Sequence, residues 1–180
     1  MHQVVARYAG KDYVMTGYLL GRKDGAFRVS AAAAMGPRLF DVAKVDGRWQ
    51  TQVHLKQLAE RLDPTHVGRA VERIYFTPAP GPLTLEQGHW VSRAPVAGEP
   101  DVDAVELWRD AGTLALKRKR FLLRGEPVLE LAYTQLEPVQ GHWLARHVLL
   151  KDRRGFELEL SVSDYVPGFP VPPERLRVGH

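Results

Sequence analysis

The chain has 180 residues and no cysteine. That absence excludes a disulfide framework, a thiolate nucleophile and any sulfur-ligated metal site. It fits a reducing cytosol, and equally an exported domain that needs no staple. Long hydrophobic runs are also missing, and nothing approaches the roughly 18 consecutive apolar residues of a membrane-spanning helix. The opening HQVVARYAGKDYVM lacks the basic region, apolar core and small-residue cleavage site of an export signal. The protein is therefore either cytosolic or preceded by a signal that lies before residue 1. Catalytic signatures are absent as well: there is no H-E-x-x-H, no G-x-S-x-G and no glycine-rich phosphate loop. The seven histidines are scattered along the chain, with no ligand-like spacing. We therefore expect no enzyme, no metal and no cofactor.

What is present is ordinary for a globular domain, with 44% hydrophobic and 26% charged residues. Lys and Arg outnumber Asp and Glu by 25 to 21, a mild excess that favours anionic surfaces without naming one. The run Lys117-Arg118-Lys119-Arg120 would point its charges to both faces of a strand. It reads as a solvated strand at the rim of a sheet, and no nucleic-acid-binding motif accompanies it.

Most of the sequence alternates as strands do. Gln3–Tyr8 and Tyr13–Leu20 flank a turn-like Ala9-Gly10-Lys11-Asp12, and Val45-Asp46-Gly47-Arg48-Trp49 carries an Asp-Gly hairpin signal. Leu55, Leu58, Ala59 and Leu62 then recur at helical spacing. Asp63-Pro64-Thr65 reads as the start of a second helix, with Val67, Ala70, Val71 and Ile74 along one stripe. We expect a helical insert over about residues 54–76 and an irregular loop over about 77–100. Strands resume from Val105, and Phe156–Ser163 alternates most cleanly of all. Strands, helices, strands is the order of a mainly β (α+β) protein. One curved antiparallel sheet with central helices on its concave side accommodates it.

Two features point towards apolar ligands. The hairpin SAAAAMGPRLFDV turns at Met35-Gly36-Pro37, where turns are normally polar, and Leu39 and Phe40 follow closely. Such a tip expects an apolar neighbour, either a membrane surface or another part of the protein. The aromatic and aliphatic residues Trp49, Leu58, Val71, Phe76, Trp90, Trp108, Leu131 and Trp143 are candidates to line a cavity between sheet and helices. Ordinary core packing is the competing reading for each of them.

The order of elements resembles the lipoprotein carrier and outer-membrane receptor family of the Lol sorting system. FRVSAAAAMGPRLFDV, LKQLAERLDPTHVGRAVERIYF, VLELAYTQLEPVQGHWLARHVLLKD and RRGFELELSVSDYVP carry the resemblance. GPRLFDV together with RIYF is similar to a branch of small bacterial lipoproteins of unassigned function. The resemblance implies one domain over residues 1–180, an unclosed antiparallel barrel with helices as plug or lid, and a cavity for acyl chains. It also implies a membrane-touching tip at Met35, Gly36, Pro37, Leu39 and Phe40. On this reading the chain is a monomeric periplasmic lipoprotein anchored at the outer membrane, its partners acyl chains and the membrane surface. Pro37 departs from the receptor pattern, and no carrier-type latch arginine is placed, although Arg38 lies near the turn. A small hydrolase using the same pocket and a protein-docking adaptor are the alternatives.

Overall fold

The computed structural model describes residues 1–8, 10–34, 36–55, 63–76, 81–97 and 99–179. Five strands precede the helical segment: β1 (His2–Tyr8), β2 (Lys11–Gly21), β3 (Phe27–Ala33), β4 (Arg38–Val45) and β5 (Arg48–Val53). Seven follow it: β6 (Leu83–Glu86), β7 (His89–Pro95), β8 (Ala104–Asp110), β9 (Leu116–Leu123), β10 (Glu126–Val139), β11 (His142–Asp152) and β12 (Glu157–Val162). All belong to one antiparallel sheet in the order β5-β4-β3-β2-β1-β12-β11-β10-β9-β8-β7-β6. The sheet is open, with β5 and β6 at its edges. Each half is a meander because tight turns carry residues that tolerate left-handed backbone. Asp46-Gly47 and Gln140-Gly141 both have positive φ at their two positions, as two-residue hairpin loops require.

The stretch 77–100, expected to be irregular, contains the β6–β7 hairpin, in which Leu83 pairs with Ser92 and Glu86 with His89. Gln87 and Gly88 have positive φ and close its turn, and His89–Pro95 alternates around it. The expected helix over Leu55–Leu62 falls almost wholly outside the described residues. The second helix is present as α1 (Pro64–Val71), followed by a π-helical turn at Glu72–Phe76. Asp63 caps α1 by accepting from the Thr65 amide at 2.9 Å and the Thr65 hydroxyl at 2.6 Å.

The contacts divide the chain into two compact units. The first comprises Met1–Val4, Val14–Thr77 and Ser163–His180. Its core is one face of β3 and β4, where Phe27, Val29, Ala31, Phe40 and Val42 are buried. Val67 and Val71 of α1 and Phe76 of the π-helical turn pack on that face. Phe27 stacks on Phe76 with ring centroids 5.0 Å apart and meets Trp49 edge-on at 5.9 Å. Lys44, on the same face, pairs with Glu72 at the end of the helix.

The second unit comprises Val5–Tyr13 and Pro78–Val162. One of its faces carries an unbroken cross-strand row: Ser92, Leu107, Lys119, Leu131, Leu150 and Leu158. The opposite face carries ion pairs, with Arg93 bridging Glu86 and Glu106, Arg120 joining Glu130, and Arg7 reaching Glu159 at 3.1 Å. Alternation along the strands separates this mainly apolar row from the ion pairs. Lys119 is the correction to the solvated reading of Lys117–Arg120. Strand β9 is paired on both sides, by β8 and β10, and Lys119 turns inward with Phe121, leaving Lys119 only 3% exposed while Lys117 stays exposed.

Candidate functional site

In the first unit the β3–β4 connection holds the turn of interest. Met35 lies outside the described residues. Around it the Gly36 amide donates to the Ala33 carbonyl at 3.2 Å, and the Ala33 amide donates to the Pro37 carbonyl at 3.2 Å. Gly36 and Pro37 are exposed. Phe40 is not part of a tip: it is 1% exposed and sits opposite Ala31 in the core. The register shift between Ala31 and Ala32 inserts Leu39 as an extra residue, so Leu39 is half-buried against the same core cluster.

The residues expected to line one cavity separate. Trp49, Val71 and Phe76 do meet, in the layer between β3–β5 and α1. That layer is tightly filled. A Cβ on Gly68 would enter the Trp49 ring and lie 3.0 Å from Val42 Cγ2, and one on Gly21 would lie 2.8 Å from Phe76 Cζ. In the second unit Leu131 is fully buried in the apolar row. Trp108 lies on the opposite face, donating to Glu106 at 3.1 Å with Arg120 over its ring. Trp90 donates to the Ala111 carbonyl at 3.3 Å, and Trp143, 43% exposed, donates to the Thr113 carbonyl at 3.1 Å. Leu58 lies outside the described residues.

Two polar features escaped the sequence reading. The first is Asp41, fully buried on the face of β3–β4 opposite the core. It accepts from Ser30 Oγ at 2.5 Å, Arg28 Nη2 at 3.1 Å and His54 Nε2 at 2.7 Å, and pairs with Arg38 Nε at 3.3 Å. Burial alone would push its carboxyl up; the hydrogen bonds from Ser30, His54 and Arg28 outweigh that and hold it below the usual carboxylate range. The signal was available, because Ser30 and Asp41 are direct partners once the hairpin register is drawn. Beside this cluster lies a concavity of about 660 Å³ lined by Tyr18, Leu20, Arg28, Ser30, Arg38 and Arg175, among others. Arg175 belongs to α2 (Pro173–Leu176), whose end is held by Arg28 donating to the Arg177 carbonyl at 2.7 Å.

The second is Lys119, set among leucines, its Nζ 5.8 Å from the Tyr133 ring centroid. Burial, with the charge of Arg109 adding to it, pushes its ammonium down to about 7. Arg109 itself donates to the buried Ser92 hydroxyl at 3.0 Å. Among the described residues no group of three or more His, Asp or Glu is arranged to hold a metal ion. Nor is any described helix long and apolar enough to cross a membrane.

No protein-family model matches the sequence, and no curated protein matches it. Solved structures do. A LolA superfamily protein from Nitrosomonas europaea aligns over 98% of this chain and 88% of its own, with TM-score 0.67 and 13% identity. An outer membrane lipoprotein-sorting protein domain from Vibrio parahaemolyticus aligns over 97% and 86%, with TM-score 0.61 and 11% identity. A DUF1329 family protein from Desulfovibrio piger aligns over 98% and 89%, with TM-score 0.56 and 11% identity. The open antiparallel sheet, the helical segment between its two meanders and these alignments agree: the chain has the LolA-type fold.

Proposed function

We propose that this protein binds acyl chains of lipids or lipoproteins and passes them on at the bacterial outer membrane, without covalent chemistry. The observation that carries the reading is the apolar layer of the first unit. Phe27, Phe40 and Val42 are covered there by one eight-residue helix and a single π-helical turn. A shift of α1 would uncover a continuous apolar face framed by Trp49 and Phe76. Each methylene placed there instead of in water contributes about 0.8 kcal/mol. The layer is filled in the structure, so the acyl chain replaces the helix contacts rather than entering a standing void. The fold shared with a lipoprotein-sorting domain supports the same reading and an envelope location. The exposed Gly36-Pro37 turn, with Met35, is the part that meets the bilayer.

Native mass spectrometry of gently purified protein tests the binding. An adduct of lipid mass is expected, removed by delipidation and restored by an acyl lipid. Absence of the adduct, together with no uptake of a fluorescent fatty-acid probe, would sink the reading. For the tip, Met35→Glu is expected to reduce liposome association while leaving probe uptake intact; unchanged association removes the membrane role of the turn.

A further inference from the structure

The concavity on the outer side of β2–β4 carries a second inference. The face it occupies is set by register: Tyr18 pairs with Ser30, and Ser30 with Asp41, so these three share one side of the sheet. Arg28 lies on the same side and is committed to structure. Its guanidinium donates to Asp41 and to the carbonyls of Arg175 and Arg177, pinning α2 across the strands. Arg38 is held differently. Its Nε faces Asp41 at 3.3 Å and its Nη2 donates to Ser30 Oγ at 3.2 Å, which fixes the plane of a guanidinium that is itself half exposed. Its Nη1 edge makes no hydrogen bond among the described residues. Arg175 also lines the concavity, and its side chain has no ion pair or hydrogen bond there.

Three guanidiniums thus face two carboxylates, those of Asp41 and Glu174, and the fully buried Asp41 is already saturated by donors. The surplus is positive, and the side chains that carry it are pre-oriented or free to turn. Guanidiniums recognise tetrahedral oxyanions through paired N–H groups. The half-exposed ring of Tyr18 and the Leu20 side chain give the same concavity an apolar wall. We propose that this concavity is a binding site for a phosphate group, with Arg38 and Arg175 as its ligands and Arg28 as the residue that positions Arg175. A phospholipid headgroup and a soluble phosphate ester share this chemistry. The headgroup is favoured because Arg38 directly follows the exposed Gly36-Pro37 turn, so headgroup capture and turn contact would occur at one membrane surface. That preference rests on the acyl-lipid reading; the phosphate site itself does not.

Two arms test it. Flotation with phosphatidylcholine vesicles, with and without phosphatidylglycerol, is expected to show preference for the anionic vesicles. The preference should fall with added salt, and roughly fivefold in Arg175→Gln, the scale of one surface cation near an anionic bilayer. Calorimetric titration with glycerol 3-phosphate forms the second arm. Saturable binding there that Arg175→Glu abolishes also supports the site and assigns it to soluble phosphate esters. Among the described residues the exposed Arg175 side chain makes no hydrogen bond or ion pair, so its variants should melt like the wild type; Arg38→Gln is the confirming variant. Wild-type behaviour of Arg175→Glu in both arms overturns the site, as does the lack of both vesicle preference and heat. Uptake of the fluorescent acyl probe, read on the same samples, separates the two proposals. Its loss in wild type counts against acyl binding alone, and its retention in Arg175→Glu shows the phosphate site to be distinct.

Discussion

Asp41 is the residue on which the first unit's polar face depends. Its carboxylate has no exposure and balances Arg28, so Asp41→Asn leaves a mostly buried guanidinium without its charge partner. Loss of about 3–5 kcal/mol is expected, read from a denaturant midpoint. Gly68 is a second test. Alanine is the better helix former by about 1 kcal/mol, yet here its Cβ would meet the Trp49 ring and Val42. Overpacking of about 1–3 kcal/mol should outweigh that gain, so Gly68→Ala lowers Tm. His2 gives a pH test. Burial first, and the neighbouring N-terminal ammonium second, lower its pKa to about 4, and its Nε2 lies 3.0 Å from the Tyr75 hydroxyl. The unfolded chain then binds a proton more readily than the folded one. Stability from neutral His2 is therefore full above about pH 6.5 and lost as pH falls towards 4, on the order of 3 kcal/mol in all. Chemical denaturation at pH 7 and pH 4.5 should show this loss in wild type and a smaller one in His2→Gln. The roles of His2 and Gly68 were not legible in the sequence, because each depends on a partner in another element: Tyr75 for His2, Trp49 for Gly68.

At the scale of elements the sequence was more informative. Local chemistry sufficed where it decided the outcome: Asp63-Pro64 opens α1, Asp46-Gly47 closes the β4–β5 hairpin, and Glu157–Val162 alternates as a half-buried strand. It misled where pairing decided. The β6–β7 hairpin was hidden by the prolines that bracket it, and Lys119 became buried only because β9 has neighbours on both sides. The aromatic candidates show the same limit. Strand periodicity puts a residue on a face, yet which face is covered depends on the whole sheet, so Trp108 and Leu131 part company. The segment α1 with its π-helical turn carries its own prediction. Phe76→Ala removes the ring stacked on Phe27, and a loss of roughly 2–4 kcal/mol is expected. Amide exchange over residues 64–76 should accelerate more than exchange in β10 and β11; uniform acceleration would mean that α1 does not open separately.

Over the whole molecule, the strand order was implied by the arrangement of two meanders around a helical insert, whereas the adjacency of the first and last strands was not. That adjacency has a bearing on how the protein is made. Strand β1 lies beside β12, Arg7 pairs with Glu159, and the Met1 carbonyl accepts from the Ser163 amide at 3.1 Å. Strand β1 thus finds this partner only after every other described strand of the sheet has been made. Until then β1 presents an unpaired edge on one side, the kind of surface that templates intermolecular pairing. Closure over so long a separation also slows folding. The open edge of β1 is therefore exposed to mispairing until β12 is in place. The strand that comes first is, in folding, among the last to be secured.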